Sequence, residues 1–293
     1  MSVRFEVNER NFYRRLDRFL RRSLPSVPLS AIYKFIRKGK VFVNGKRTRK
    51  VDHELSIGDV VELRYVDLEK YEKDKKELVP QKMDLEVIYE DERVLAINKP
   101  PGIALHPGRG IHVATLIEGL MYYGNERGFE PHLVHRLDLN TSGVLLVAKD
   151  KETARILTDL FKRRLVKKEY MVLVKGKVSR SGKVEKTLDG QFALTEYEPI
   201  RRFKDSTLLK VRIKTGRKHQ IRRHMAEIGH PVVGDERYGD RIFNSVFKKE
   251  FGLKRQFLHC TFMELPHPFK DEILRIEADL SDDLKKVLSR LGL

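Results

Sequence analysis

Cysteine is almost absent from this chain. Cys260 is its single thiol, which excludes an internal disulfide and fits a reducing compartment. It follows Leu258 in an apolar stretch and reads as a small core residue. Long apolar runs are missing as well. No stretch approaches the roughly 18 residues that a membrane-spanning helix needs, and Met1 to Arg10 is charged, without the apolar centre of a signal peptide. A cytoplasmic protein with no membrane partner is therefore expected. The chain has no Gly-x-x-x-x-Gly-Lys-Ser/Thr loop of the kind that cradles nucleotide phosphates, so no nucleotide cofactor is expected. It shows no internal repeat, and no heptad stripe that would ask for a second chain, so it is expected to act as a monomer. Acidic residues are the other shortage. Against 60 Lys and Arg there are only 42 Asp and Glu, leaving +18 and a pI near 9.8. That imbalance favours a polyanionic partner.

At 293 residues the chain can hold one domain of more than about 200 residues and a small one. The seam is a charge-dense, apolar-poor run, Asp67 to Glu77, with Pro80 near its end. It predicts a small unit at 1–66, a charged linker at 67–83 and a larger unit at 84–293.

In the small unit, Leu16, Phe19 and Leu20 share one side of a helix expected over Arg14 to Arg22. Arg14, Arg18, Arg21 and Arg22 share the other side. A second helix near Ser30 to Arg37 places Ile32, Phe35 and Ile36 opposite Lys34, Arg37 and Lys38, with Ser30 as its expected N-cap. Val41 to Val43 then reads as a strand ending in Asn44-Gly45, a strong hairpin-turn signal, and Val60 to Tyr65 as another. Two short basic helices feeding a hairpin, and the phrase Ile36 to Gly45 in particular, resemble the small αL RNA-binding module of a small-subunit ribosomal protein and several RNA-modifying enzymes. By that resemblance the basic faces would neutralise RNA phosphates. A merely solvated helix face would look the same in one sequence.

The larger unit opens with two expected strands, Leu85 to Tyr89 and Val94 to Asn98, followed by the stiff segment Lys99-Pro-Pro-Gly. His106 and Arg109 lie in a Gly- and Pro-rich loop that could face a nucleic acid. The most informative stretch is His135 to Gly143, His-Arg-Leu-Asp-Leu-Asn-Thr-Ser-Gly. It places Asp138 beside Arg136 and a turn, directly before the apolar run Val144 to Ala148, which reads as a strand buried on both faces. A carboxylate at the end of such a strand is either well paired or functional, although the same residues also make an ordinary turn. Further on, a helix lined by Ala154, Leu157, Leu160 and Phe161 precedes the strand Tyr170-Met-Val-Leu-Val. Thr215-Gly-Arg-Lys-His-Gln-Ile-Arg-Arg-His224 follows a strand at Leu208 to Ile213 and enters a helix ended by Gly229 and Pro231. Arg222 lies at the flank of that helix's apolar face, where it could reach across a cleft. His219 and His224 are not at the i, i+4 spacing of a zinc helix, and no cysteine or glutamate completes a set, so no metal is expected.

The nonamer matches His-Arg-Leu-Asp-x-x-Thr-Ser-Gly, the pattern of the pseudouridine synthase family that modifies large-subunit ribosomal RNA and some tRNA. Asn98 to Gly102 resembles that family's Asn-Lys-Pro-x-Gly segment. Lys168-x-Tyr170-x-x-x-Val174 resembles its second motif, and Thr215 to His224 its Thr-Gly-Arg-x-His-Gln-Ile-Arg-x-His block. Gly229-His-Pro-Val-Val-Gly-Asp-Glu-Arg-Tyr-Gly and Leu258-His-Cys-Thr-Phe extend the likeness nearly to the C-terminus. One departure is the segment Gly176 to Thr195. It reads as compressed relative to the family's longer hairpin, with only Thr187-Leu-Asp-Gly as a turn, and target choice is expected to differ accordingly.

The resemblance implies isomerisation of uridine to pseudouridine in RNA, most of all ribosomal RNA. The implied fold is α+β: a catalytic domain on a mixed, mainly antiparallel sheet with a central cleft, plus the N-terminal helix and hairpin module. Asp138 becomes the catalytic carboxylate, Tyr170 the residue that stacks on the base, and Arg222 the cation that holds Asp138 charged, with Arg217 second in line. Arg136 could fill the space left by an extruded base. His135, Thr141, Arg217 and Lys99 are the expected substrate contacts. Moving the base from nitrogen to carbon involves no net redox change and no transferred group, so no cofactor is expected. Residue types leave open whether Asp138 attacks the sugar, attacks the base or removes a sugar proton. A non-catalytic RNA-binding assembly factor would also explain the charge and the small module, and an RNA N-glycosidase would also employ a carboxylate.

Overall fold

The computed structural model describes residues 2–68, 71, 78–108 and 113–293. The chain divides between residues 77 and 78 into two compact units. Arg109 and much of the expected linker lie outside the described residues. Among the described residues, no helix is long and apolar enough to cross a membrane.

Among the described residues, the first unit sets helices α1 (Leu16–Ser23) and α2 (Leu29–Arg37) against an antiparallel sheet. Its strands, β1 (Ser2–Glu6), β2 (Val41–Val43), β3 (Lys46–Thr48) and β4 (Val60–Arg64), are ordered β1-β4-β2-β3. Leu16, Phe19, Leu20, Ile32 and Ile36 are fully enclosed with Val41, Val61 and Leu63, which is the burial their helical and alternating spacing demands. Arg18, Arg21, Arg22, Lys34, Arg37 and Lys38 are exposed. Two expectations need correction. Arg14 precedes α1 and pairs with Glu54 at 2.9 Å, because the helix starts only at Leu16, after Arg15 in extended conformation. Ser30 is not an N-cap. Pro28 holds that position, and its carbonyl accepts the N–H groups of Ala31 and Ile32 at 2.8 and 3.1 Å, so the proline sets the chain direction before Ser30 is reached.

The second unit is built, among the described residues, on one sheet of ten strands. In chain order they are β5 (Val87–Glu90), β6 (Val94–Lys99), β7 (His132–Leu133), β8 (Ser142–Ala148), β9 (Lys167–Lys175), β10 (Gly182–Leu188), β11 (Gln191–Arg202), β12 (Ser206–Ile213), β13 (Leu258–Pro266) and β14 (Ile273–Glu277). The main path is β10-β11-β12-β9-β13-β8-β6-β5, with β14 on β13 and β7 on β8. Among the described residues, only β13 and β8 pair in parallel. The helices among the described residues here are α3 (Leu116–Arg127), α4 (Lys151–Lys162), α5 (Gln220–Glu227), α6 (Arg241–Phe251) and α7 (Asp282–Arg290). The fold is thus α+β with a mainly antiparallel mixed sheet.

Every residue of β8 is buried, as the unbroken apolar run requires of a strand covered on both faces. It is flanked by β6 and β13, so the turn that precedes it stands on the most rigid part of the sheet. Gly143 makes the parallel pairing possible. Its φ is +109°, and a Cβ there would lie 2.1 Å from the Cys260 carbonyl oxygen, a position open only to glycine. Cys260 in turn faces Tyr170 on β9. Gly143, Cys260 and Tyr170 therefore form a row across three strands, spaced by about 4.8 Å per strand. The segment 176–195, expected to be short, carries a regular element. It forms most of a regular hairpin, β10–β11, around Asp189 and Gly190, which have φ of +51° and +75°. That is the two-residue turn that Asp-Gly favours.

Candidate active site

A cleft of about 470 Å3 opens beside the N-terminal end of β8. Arg136, Asp138 and Thr141 enter from the turn before β8, Lys168 and Tyr170 from β9, and Arg217 and Arg222 from the start of α5. Asp138 is the only carboxylate among the lining residues, against Arg136, Lys162, Arg164, Lys168, Lys214, Arg217, Lys218 and Arg222. Such a concave, positive surface concentrates a polyanion.

The Asp138 turn is held at every carbonyl. Thr141 N–H donates to Asp138 O at 3.0 Å and Gly102 N–H to Leu139 O at 3.0 Å. Lys99 Nζ donates to Leu139 O at 3.0 Å and Thr141 O at 3.1 Å, and Arg255 Nη1 to Asn140 O at 2.9 Å. A loop with its four consecutive acceptors satisfied has no competing conformation of equal energy. Lys99 was expected to touch substrate, and this must be corrected. It is fully buried, does not line the cleft, and gives its third bond to Pro100 O at 2.8 Å. Burial, with Arg255 adding, draws its ammonium down to about 7, whereas three carbonyl acceptors call for all three N–H bonds of the protonated form. We favour the protonated form on that geometry.

Arg222 spans two carboxylates. Its Nη1 donates to Asp138 Oδ2 at 3.0 Å, while Nε and Nη2 grip Asp235 Oδ2 and Oδ1 at 2.6 and 2.8 Å. Asp235 is almost wholly buried and also accepts the N–H groups of Arg237 and Tyr238. Burial alone would lower the Arg222 guanidinium, but Asp235 and then Asp138 raise it above its ordinary value. The bidentate fork fixes the plane of the guanidinium, so the remaining N–H is aimed at Asp138 before any ligand arrives. Asp235 is the functional partner that sequence reasoning missed. It stood in the quoted Val-Val-Gly-Asp-Glu-Arg-Tyr segment, and the signal was the adjoining Gly234. That residue has φ of +79°, and a Cβ on it would sit 2.0 Å from Arg255 O.

The Thr215 to His224 block owes its spacing to packing. Thr215 Oγ1 donates to Gln220 Oε1 at 2.6 Å, and Gln220 Nε2 donates to Leu194 O and Thr195 Oγ1. These bonds tie the start of α5 to β11. His219 caps the helix at φ of +54°, with Nδ1 3.1 Å from the Tyr238 hydroxyl and Nε2 3.8 Å from Asp138 Oδ1. His224 turns the other way, its Nδ1 2.9 Å from Thr195 Oγ1, so the two rings do not converge. Arg217 lines the cleft and donates from Nε to Phe192 O, away from Asp138.

Tyr170 is buried against Cys260. Burial first, then the Cys260 thiol, raise its hydroxyl well above the ordinary value, so the ring is a neutral apolar wall of the cleft. Burial also pushes Cys260 up to about 12. His135 lines the cleft, yet its Nε2 accepts Leu146 N–H at 2.8 Å and its ring stacks on Phe161 at 4.8 Å. Burial, with Lys168 adding, pushes it down to about 3, the neutral state that this acceptor role requires. His135 thus fastens the loop to β8 more than it offers a polar group to a ligand. Thr141 is buried at the cleft wall and Arg136 is exposed over it. His106 is exposed, and Arg109 lies outside the described residues.

The arrangement offers one carboxylate paired with a preset guanidinium, next to a flat apolar ring, inside a basic cleft. The RNA pseudouridylate synthase family model matches residues 93–227, which include Asp138, Tyr170 and Arg222, and the S4 domain model matches residues 14–61. The chain is 38% identical over 305 residues to ribosomal large subunit pseudouridine synthase C of Vibrio vulnificus, covering 98% of this chain and 95% of that protein. The counterpart in Shigella flexneri is also 38% identical, over 94% of this chain and 92% of its own length. Human RNA pseudouridylate synthase domain containing 4 superposes with a TM-score of 0.61 at 26% identity, over 71% of this chain and 93% of that structure. A near full-length likeness of this kind, converging on the one cleft where Asp138, Tyr170 and Arg222 meet, makes this chain a member of the RNA pseudouridylate synthase family.

Proposed function

We propose that this protein converts specific uridines of large-subunit ribosomal RNA to pseudouridine, acting as a cytoplasmic monomer. The observation that carries the reading is the 3.0 Å pair between Asp138 and Arg222 in a cleft whose other charged lining residues are Lys and Arg. Asp138 is the catalytic carboxylate, and Arg222 pairs with it and fixes its position. The target uridine leaves its stack, at a cost of a few kcal/mol. Tyr170 stacks on the extruded base, and Arg136, exposed over the cleft, fills the place it leaves. Thr141 and Arg217 border the bound nucleotide. The base is detached, turned and rejoined through carbon 5 with no net redox change and no transferred group, so the chemistry needs no metal or nucleotide.

The test is to incubate the protein with unmodified ribosomal RNA carrying carbon-5-tritiated uridine and to measure tritium and free uracil together. Tritium released without free uracil is the expected result. Free uracil in proportion to tritium would make the protein an N-glycosidase. Intact binding with no release on any structured RNA would leave an assembly factor.

The exposed cations of α1 and α2 neutralise phosphates at the N-terminal module. Replacing Arg18, Arg21 and Arg22 together with Ala is expected to weaken RNA binding at low salt. The slope of log K against log salt should fall by up to about 0.7–0.9 for each phosphate left without its arginine. Filter binding across a salt series reads this, and an unchanged slope would remove these arginines from the interface.

A further inference from the structure

Lys168 is set apart from the other cations of the cleft. Arg136, Lys162, Arg164, Lys214 and Lys218 are exposed, and Arg222 is paired with two carboxylates. Arg217 is bonded to Phe192 O. Lys168 is drawn largely out of solvent, yet it has no hydrogen-bond or ionic partner among the described residues. Its Nζ lies 5.6 Å from the centre of the Phe161 ring and 4.0 Å from where a Cβ on Gly216 would sit. Lys168 and Tyr170 are two apart on β9 and project from the same face. An ammonium withdrawn from water without a counter-charge is costly, and such a group is held in a binding cleft to meet a charge that arrives with the ligand.

The step beside it creates one. When the bond between C1′ and N1 breaks, its electron pair stays with the base, and the negative charge spreads from N1 onto O2 and O4. The base then bonds to C1′ through C5, the C5 proton is lost, and N1 gains a proton, so atoms and electrons balance without redox change. We propose that Lys168 is a further catalytic residue, whose ammonium meets the anionic oxygen of the uracil ring while the base is detached. The proposal rests on the pseudouridine reading given above. The alternative source of an anionic oxygen is the backbone phosphate of the target nucleotide. The interior position beside Phe161 and Tyr170 favours the base, whereas the exposed Lys162 and Arg164 are the cations placed at the rim where a phosphate would pass.

The experiment compares wild type with Lys168→Met and Lys168→Arg in single-turnover pseudouridine formation at saturating enzyme, alongside RNA affinity. Lys168→Met is expected to lower the chemical rate about 100-fold, the scale of losing one stabiliser of a developing anion, with Kd changed less than about threefold. Lys168→Arg is expected to regain at least about tenfold, because it keeps the charge. A target carrying 5-fluorouridine, whose base is a weaker base and leaves more readily, is expected to shrink the Lys168→Met defect in the cleavage step, read as consumption of the target nucleoside. The proposal is overturned if Lys168→Met weakens binding and lowers the salt slope by about one with its rate intact, since that marks a phosphate partner. It is equally overturned if the rate defect is the same for uridine and 5-fluorouridine and Lys168→Arg rescues nothing. Wild type that forms no pseudouridine on any ribosomal RNA would instead remove the reading on which the proposal stands.

Discussion

Asp138→Ala is expected to abolish carbon-5 tritium release, lowering it by about 10³-fold or more, which is roughly 4 kcal/mol of transition-state stabilisation. The fold should survive. Asp138 is half-buried, and Arg222 keeps both bonds to Asp235 when it is removed, so no charge is left buried and alone. Unfolding free energy is expected to change by less than about 1 kcal/mol. RNA affinity should hold within about threefold, because the cations around the cleft are untouched. Tritium release, thermal unfolding and filter binding on one preparation separate these effects. Release that persists in the variant would move the catalytic role to another residue.

Asp235→Ala is expected to produce the larger change in stability. It removes the two short bonds that hold the Arg222 fork and leaves a largely buried guanidinium with Asp138 as its only carboxylate. Breaking a buried pair from one side costs about 3–5 kcal/mol. Catalysis should fall as well, because an unheld guanidinium no longer presents its N–H to Asp138 in a fixed plane. The double variant Asp235→Ala with Arg222→Leu is expected to recover part of the lost stability but none of the activity. Acid sensitivity gives a separate readout. Burial alone would raise the Asp235 carboxyl, but Arg222 and the N–H groups of Tyr238 and Arg237 outweigh it and hold the carboxyl below its ordinary value. A carboxyl lowered by folding adds stability that is fully present above its unfolded value near 4, and that stability disappears as pH falls through the folded value. Wild type should therefore lose stability below about pH 4 more steeply than Asp235→Ala. Parallel acid profiles would show that Asp235 is not held low.

Gly143 shows how local sequence and the shared sheet interact. The motif glycine reads as a turn residue, and it does follow a turn, but its missing side chain is demanded by Cys260 on a strand more than a hundred residues later. Lys99 shows the converse. The resemblance to the family's Asn-Lys-Pro-x-Gly segment implied a ligand contact for Lys99, and only the carbonyls of Pro100, Leu139 and Thr141 around it reveal a structural pin. Ser30 and Arg14 failed for a local reason, since Pro28 and the extended Arg15 set where the two helices begin.

By itself the sequence determined the elements and their buried faces, because helical and alternating periodicity of apolar residues acts over a few neighbours. Through the residues of its motifs it also singled out Asp138, Tyr170 and Arg222. The tertiary structure alone decided what holds them: Asp235 behind Arg222, and Lys99 and Arg255 under the Asp138 turn. It also decided that Lys168 stands in the cleft with no partner among the described residues. These depend on bonds between residues far apart in the chain, up to 115 positions for Arg255 and Asn140. The energy of such a bond depends on which strands become neighbours, and no local pattern of residues carries that information.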